Sequence, residues 1–126
     1  MPKVYVVQAP RNPEDFDLEA LKAMGDVENI LPVAPNVHDP HRLKMDFERI
    51  LAKLTEAQPD DIFVMLGGSP ISNGLWGAAA YASNKDFINV GFYSRDIDKD
   101  GRRLNKGRYR IVPMDWREIA AEEEAA

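Results

Sequence analysis

Seven consecutive residues of this 126-residue chain, Gly67-Gly68-Ser69-Pro70-Ile71-Ser72-Asn73, combine the features best suited to holding a ligand. They follow the apolar run 62–66 and precede a stretch with helical spacing, so they read as the turn from a buried strand into a helix. Glycines admit close backbone approach, hydroxyl and amide side chains supply hydrogen bonds, and the free amides of a helix start point at an anion. The same residues also suit a plain strand-to-helix turn in which Ser69 caps the helix, and both uses remain open. No acid, histidine or cysteine stands among them, and the chain offers no recognised catalytic set, cofactor motif or metal motif.

Other reactive groups lie in three clusters. Glu14, Asp15 and Asp17 crowd the start of a short helix, where a helix dipole favours negative charge and capping is the simplest role. His38 and His41 flank Asp39-Pro40, but a metal site draws further ligands from elsewhere, and these are the only two histidines. Between Lys99 and Arg110 the cations Lys99, Arg102, Arg103, Lys106, Arg108 and Arg110 meet Asp100 alone. Guanidinium groups in such a run clamp phosphates or carboxylates, so Arg102, Arg103 and Lys106 are candidate partner-binding residues. The alternative is a solvated turn whose cations pair with Asp96, Asp98 and Asp100.

The elements that must position these residues alternate. Residues 3–8 read as a strand ending at Pro10 and Pro13, and residues 17–25 as a short helix with Asp17 as N-cap and Gly25 as stop. Residues 30–33 read as a brief strand, placed at an edge by Pro32. Asp39 and Pro40 open a helix whose stripe is Leu43, Phe47, Ile50, Leu51 and Leu54, ending before Pro59. Residues 62–66 form a central strand apolar on both faces. The next helix starts at Ser69-Pro70, buries Ile71, Leu75, Ala78, Ala79 and Ala82, and stops at Asn84. Its small residues Gly74, Gly77 and Ala78, with Tyr81, favour close packing on the sheet or on another subunit. Residues 87–93 and 108–114 are two more strands, joined by a connection with turns at Asp100-Gly101 and Lys106-Gly107.

This order predicts a single α/β domain over residues 1–117, a three-layer Rossmann-like sandwich with an acidic, frayed or disordered tail at 118–126. Right-handed crossovers and short loops predict a mostly parallel five-stranded sheet in the order 2-1-3-4-5, closed by an antiparallel C-terminal strand. Its switch point lies between strands one and three, so Gln8, Arg11, Gly67, Gly68, Ser69 and Asn73 form the lips of one crevice, with Arg95 on the same rim.

Composition narrows the classes. A hydrophobic fraction of 44% with 29% charged residues is that of an ordinary globular chain. The absence of cysteine excludes disulfides, thiolate metal sites and cysteine nucleophiles. The amino end turns polar after a few residues, and no later apolar run approaches about 20 residues, so a cytoplasmic location is expected. The net charge of −5 argues against nucleic acid or anionic membrane as partners. An unpaired edge strand leaves a homodimer open.

Tyr5-Val6-Val7-Gln8-Ala9-Pro10, followed later by the strand 61–66, Gly67-Gly68-Ser69 and a small-residue helix, resembles the core of nucleoside 2-deoxyribosyltransferases and related Rossmann-like domains. That family's helix carries a glutamate nucleophile after its polar loop, whereas here no acid occurs before Asp86. The Gly68-Ser69-Pro70 step, the Ala-rich helix and the closing hairpin are also similar to small phage and prophage α/β proteins, which implies a host-cytoplasmic setting. Two functions are therefore expected in order: a module binding a nucleotide-like or other small anionic ligand, then a factor docking a host or partner protein. A nucleoside-processing enzyme using Asp15, Asp17 or Asp96 comes third.

Overall fold

The computed structural model describes residues 2–66, 69–115 and 118, without the side chains of 103–106. Its strands are β1 (Lys3–Gln8), β2 (Asp26–Leu31), β3 (Ile62–Met65), β4 (Phe87–Ile97) and β5 (Arg103–Asp115). Its helices are α1 (Leu18–Met24), α2 (Pro40–Glu56) and α3 (Pro70–Ala82), with one 3₁₀ turn at Pro13–Asp15. The strands form one five-stranded sheet in the order β2-β1-β3-β4-β5, parallel except for the antiparallel β4–β5 pair. Sheet order and fold class thus agree with the sequence reading.

Local chemistry sets the helix starts. Asp17 Oδ1 accepts from Ala20 N at 3.0 Å, Asp39 Oδ1 from Arg42 N at 3.2 Å, and Ser69 Oγ from Ser72 N at 3.1 Å. Each replaces a hydrogen bond that the first helical turn cannot make internally. Asn84, with φ of 58°, follows the end of α3 in the left-handed conformation that asparagine tolerates.

The sheet's two faces bury different cores. Val4, Val6, Ile62, Val64 and Leu66 pack with Leu21 of α1 on one face. Tyr5, Val7, Leu31, Phe63, Ile88 and Val90 pack with Ile50 and Leu54 of α2 and with Trp76, Ala79 and Ala80 of α3 on the other. Lys53 of α2 bonds Glu28 of β2 at 2.7 Å, and this contact holds the Glu28 carboxyl below its usual range.

Several boundaries differ from expectation. β2 begins at Asp26, directly after Gly25, and ends at Leu31, so Pro32 and Val33 lie outside it. Gly25 is required because a Cβ there would meet the Pro2 carbonyl, and Pro32 ends the ladder because it has no N–H to donate. Edge position is correct for β2. On α3 the buried set is Ser72, Trp76, Ala79 and Ala80, whereas Ile71 is 39% exposed and Ala78 and Ala82 are also exposed. Gly74 and Gly77 have no heavy atom within 4 Å of a built Cβ, so the small residues do not seat the helix on the sheet. Trp76 decides this rotation, since burying its large ring contributes more than burying alanines.

β4 and β5 are longer than expected and continue past β3 as a two-stranded arm, because β3 ends opposite Phe92. Asp98 and Gly101 make the turn at its tip, with Gly101 at φ 80°. Lys106-Gly107 is not a turn: Gly107 sits in β5 opposite Arg95, and a Cβ there would meet the Ser94 carbonyl and the Tyr93 ring. Gly67, Gly68 and the tail 119–126 lie outside the described residues, as do the Arg103 and Lys106 side chains.

Candidate functional site

The crossover from β1 runs through α1 on one face of the sheet, and that from β3 runs through α3 on the other. The connections leaving the carboxyl ends of β1 and β3 therefore diverge to opposite faces, and such a switch point is where doubly wound sheets place a binding crevice. Gln8 closes β1 and is 8% exposed, and its Oε1 accepts from Ser69 N at 3.3 Å across 61 residues of sequence. The structure thus brings together two of the residues predicted for the site. The Gln8 Nε2 donor has no hydrogen-bond acceptor among the described residues.

The remaining predicted residues distribute unevenly. Ser69 serves its own helix through its hydroxyl, and the fully buried Ser72 donates back to the Ser69 carbonyl at 2.9 Å. Asn73 is exposed on the first turn of α3, with its N–H bonded to the Ser69 carbonyl at 3.2 Å. Arg11 is exposed and joins no ion pair among the described residues.

Arg95 is placed differently from the sequence reading. It lies inside β4, three residues beyond the Phe92–Met65 pairing and so about 10 Å past the end of β3. Its Nη2 bonds Asp15 Oδ1 at 3.1 Å. A guanidinium held by a carboxylate of its own chain latches the arm to the 3₁₀ turn. Asp17 caps α1, so neither it nor Asp15 is an uncommitted carboxylate, and Asp96 sits exposed at the β4 register shift.

Aromatic packing reinforces the latch. Tyr93 contacts Phe16 at 5.6 Å and Tyr109 at 4.8 Å between ring centroids, and the Tyr109 hydroxyl donates to the Asp17 carbonyl at 3.1 Å. Burial pushes the Tyr109 phenol from 10.0 up to about 12, with Tyr93 and Asp17 adding to the shift. The unfolded chain then gives up this proton before the folded one. The latch keeps its full contribution below pH 10 and loses it as pH rises through about 12. Melting temperature should fall over that window, and Tyr109→Phe should flatten that part of the pH profile. An equal slope in both proteins would assign it to other groups.

Beside Gln8, on the face of the sheet covered by α1, lies an open hollow of about 330 Å³ lined by Val6, Ala9, Pro10, Leu21, Asn29 and Leu66, with Lys22 at its rim. Sequence reasoning missed Asn29 and Lys22. The available signal was Asn29 itself, a polar side chain on the face of β2 whose neighbours on β1 are apolar. A second hollow of about 230 Å³, lined by Leu54, Ala57, Pro59, Phe63 and Phe87, lies beside the start of β4, away from the crevice. No group of three or more acidic, histidine or cysteine residues able to hold a metal occurs among the described residues. No helix among them is long and apolar enough to cross a membrane.

A mostly parallel sheet in this order, with its switch point between β1 and β3, defines the doubly wound α/β class. Within it, a family model described as Phage Pam3 gp32-like protein matches residues 2–99, and the chain belongs to that family. The likeness to phage proteins is thereby borne out. No curated protein and no solved structure matches the chain, and the deoxyribosyltransferase likeness finds no support. The matched residues end in the turn of the arm, before β5 begins.

Proposed function

We propose that the protein is a binding module that holds a small ligand at the β1–β3 crevice without transforming it. The observation that carries this reading is Gln8: a buried carboxamide whose oxygen is oriented by Ser69 N, leaving its Nε2 donor without an acceptor among the described residues. A hydrogen bond from this amide to an acceptor group on a ligand contributes about 0.5–1.5 kcal/mol. The amino end of α3 favours negative charge in that group, and the adjoining hollow suits an apolar or planar body. A nucleotide-like anion meets both requirements. The engagement of Asp15 by Arg95 and of Asp17 as a cap supports binding over acid–base chemistry.

The test is a thermal-shift series with nucleoside monophosphates, nucleosides and small carboxylates. At about 100 times Kd a ligand stabilises by about 2.7 kcal/mol, which raises the melting temperature by several degrees. Gln8→Glu keeps an acceptor for Ser69 N but replaces the Nε2 donor with a negatively charged oxygen, so it should abolish the shift while the variant still folds. A panel without any shift, or an equal shift in Gln8→Glu, would remove the basis for this reading.

A further inference from the structure

We propose that the outer edge of β5 accepts an extended acidic segment of another protein as a sixth strand. β5 ends the sheet, and its 13 residues have no second neighbour among the described strands. Up to Pro113, which has no N–H, such an edge offers unpaired N–H and C=O groups at regular spacing, which a partner strand can use.

The side chains along this edge specify the partner. Arg108 and Arg110 pair with Ser94 and Phe92, so they project from one face of the arm, about 7 Å apart along the strand. Both are exposed, and neither has a carboxylate within 4.0 Å among the described residues. Asp98 holds the turn of the arm instead, its Oδ1 accepting from the N–H groups of Asp100 at 2.9 Å and Arg102 at 2.8 Å, and Asp96 and Asp100 join no ion pair among the described residues. An added strand repeats the same spacing, so acidic residues at alternate positions fall opposite the two guanidiniums.

The other face asks for apolar side chains. Ile111 is 43% exposed there and pairs with Gly91, which has no side chain to cover it. A partner that alternates acidic and apolar residues therefore satisfies both faces at once. A second copy of this chain paired antiparallel about Tyr109 does not, because Arg108 then falls opposite Arg110 of the copy. Nucleic acid is disfavoured by the net charge of −5 and cannot use the strand's hydrogen-bonding edge. This surface stands apart from the crevice and does not depend on the ligand reading.

Fluorescence anisotropy with a labelled nine-residue peptide of alternating glutamate and valine tests the proposal on the full chain. The controls are a peptide of the same composition with its glutamates consecutive and a DNA oligonucleotide of equal charge. The alternating peptide should bind at least about tenfold more tightly than either, a difference of about 1.4 kcal/mol. Arg108→Glu with Arg110→Glu should weaken it by about tenfold or more, and Arg108→Gln with Arg110→Gln by less, with circular dichroism confirming that both fold. No binding, equal binding of the two peptides, preference for DNA, or indifference to the arginine changes would each overturn it. Binding that emerges only after residues 119–126 are removed would assign the edge to the chain's own acidic tail, and a dimer mediated by β5 would assign it to a second copy. Either outcome overturns the proposal too.

Discussion

Phe63→Ala is expected to destabilise the protein by about 3–5 kcal/mol, the range for removing a large buried ring from a core. Phe63 is 1% exposed at the centre of β3 and stands between two other rings, Tyr5 at 5.0 Å and Trp76 at 6.2 Å. Truncation leaves a cavity where β1, β3 and α3 meet, and the surrounding backbone is fixed by the parallel ladder on both sides of β3. A domain of ordinary stability holds only about 5–15 kcal/mol in total, so this change brings the fold close to its limit. Urea unfolding followed by far-ultraviolet circular dichroism measures it. Phe63→Leu should cost less than half as much, and a loss below about 1 kcal/mol for alanine would show that the core relaxes around the gap.

Asp61→Ala is the second large effect, expected at about 2–4 kcal/mol for the loss of hydrogen bonds to a charged, buried acceptor. The Asp61 carboxylate is 7% exposed, and its two oxygens accept from Lys3 N and Gln58 N, each at 2.9 Å. It thereby ties the start of β1 to the loop between α2 and β3, a loop that Asn89 also holds through the Pro59 carbonyl at 2.9 Å. Alanine leaves two backbone donors without partners. Asp61→Asn retains one carbonyl acceptor and should recover about half of the loss in the same urea titration. Equal losses in the two variants would mean that the charge, and not the count of acceptors, governs this joint.

Asp61 also shows where sequence reading stops. With Asp60 it looks like an ordinary loop residue before the central strand, because Lys3 lies 58 positions away and no local pattern announces the bond. The caps at Asp17, Asp39 and Ser69 were legible, since each cap bonds an amide three residues on. The strand order was legible too, because short connections and right-handed crossovers leave few alternatives. The rotation of α3 was not. With Ala and Gly on most of its circumference it has weak polarity, and only the space beside Phe63 decides that Trp76 turns inward.

At the candidate site the division is similar. Gln8 and the start of α3 were legible as neighbours because both follow strands whose ends adjoin the switch point. Arg95 was read as lying past the end of β4 because an alternating, charged continuation of the strand resembles a loop, and its partner Asp15 lies 80 residues earlier. Gly107 resembles a turn for the same reason. Only the Tyr93 ring and the Ser94 carbonyl beside it show why a strand needs glycine there.

The sequence by itself determined which segments become helix and strand, their order in the sheet, and the end of the sheet at which a crevice must open. These follow from backbone propensity, capping and chain connectivity, which act over a few residues or through topology. Tertiary structure alone decided how far the arm extends, which face of α3 is buried, and which charged groups are already engaged. Each of these depends on side chains distant in sequence meeting in space, where burial and ion pairing compete.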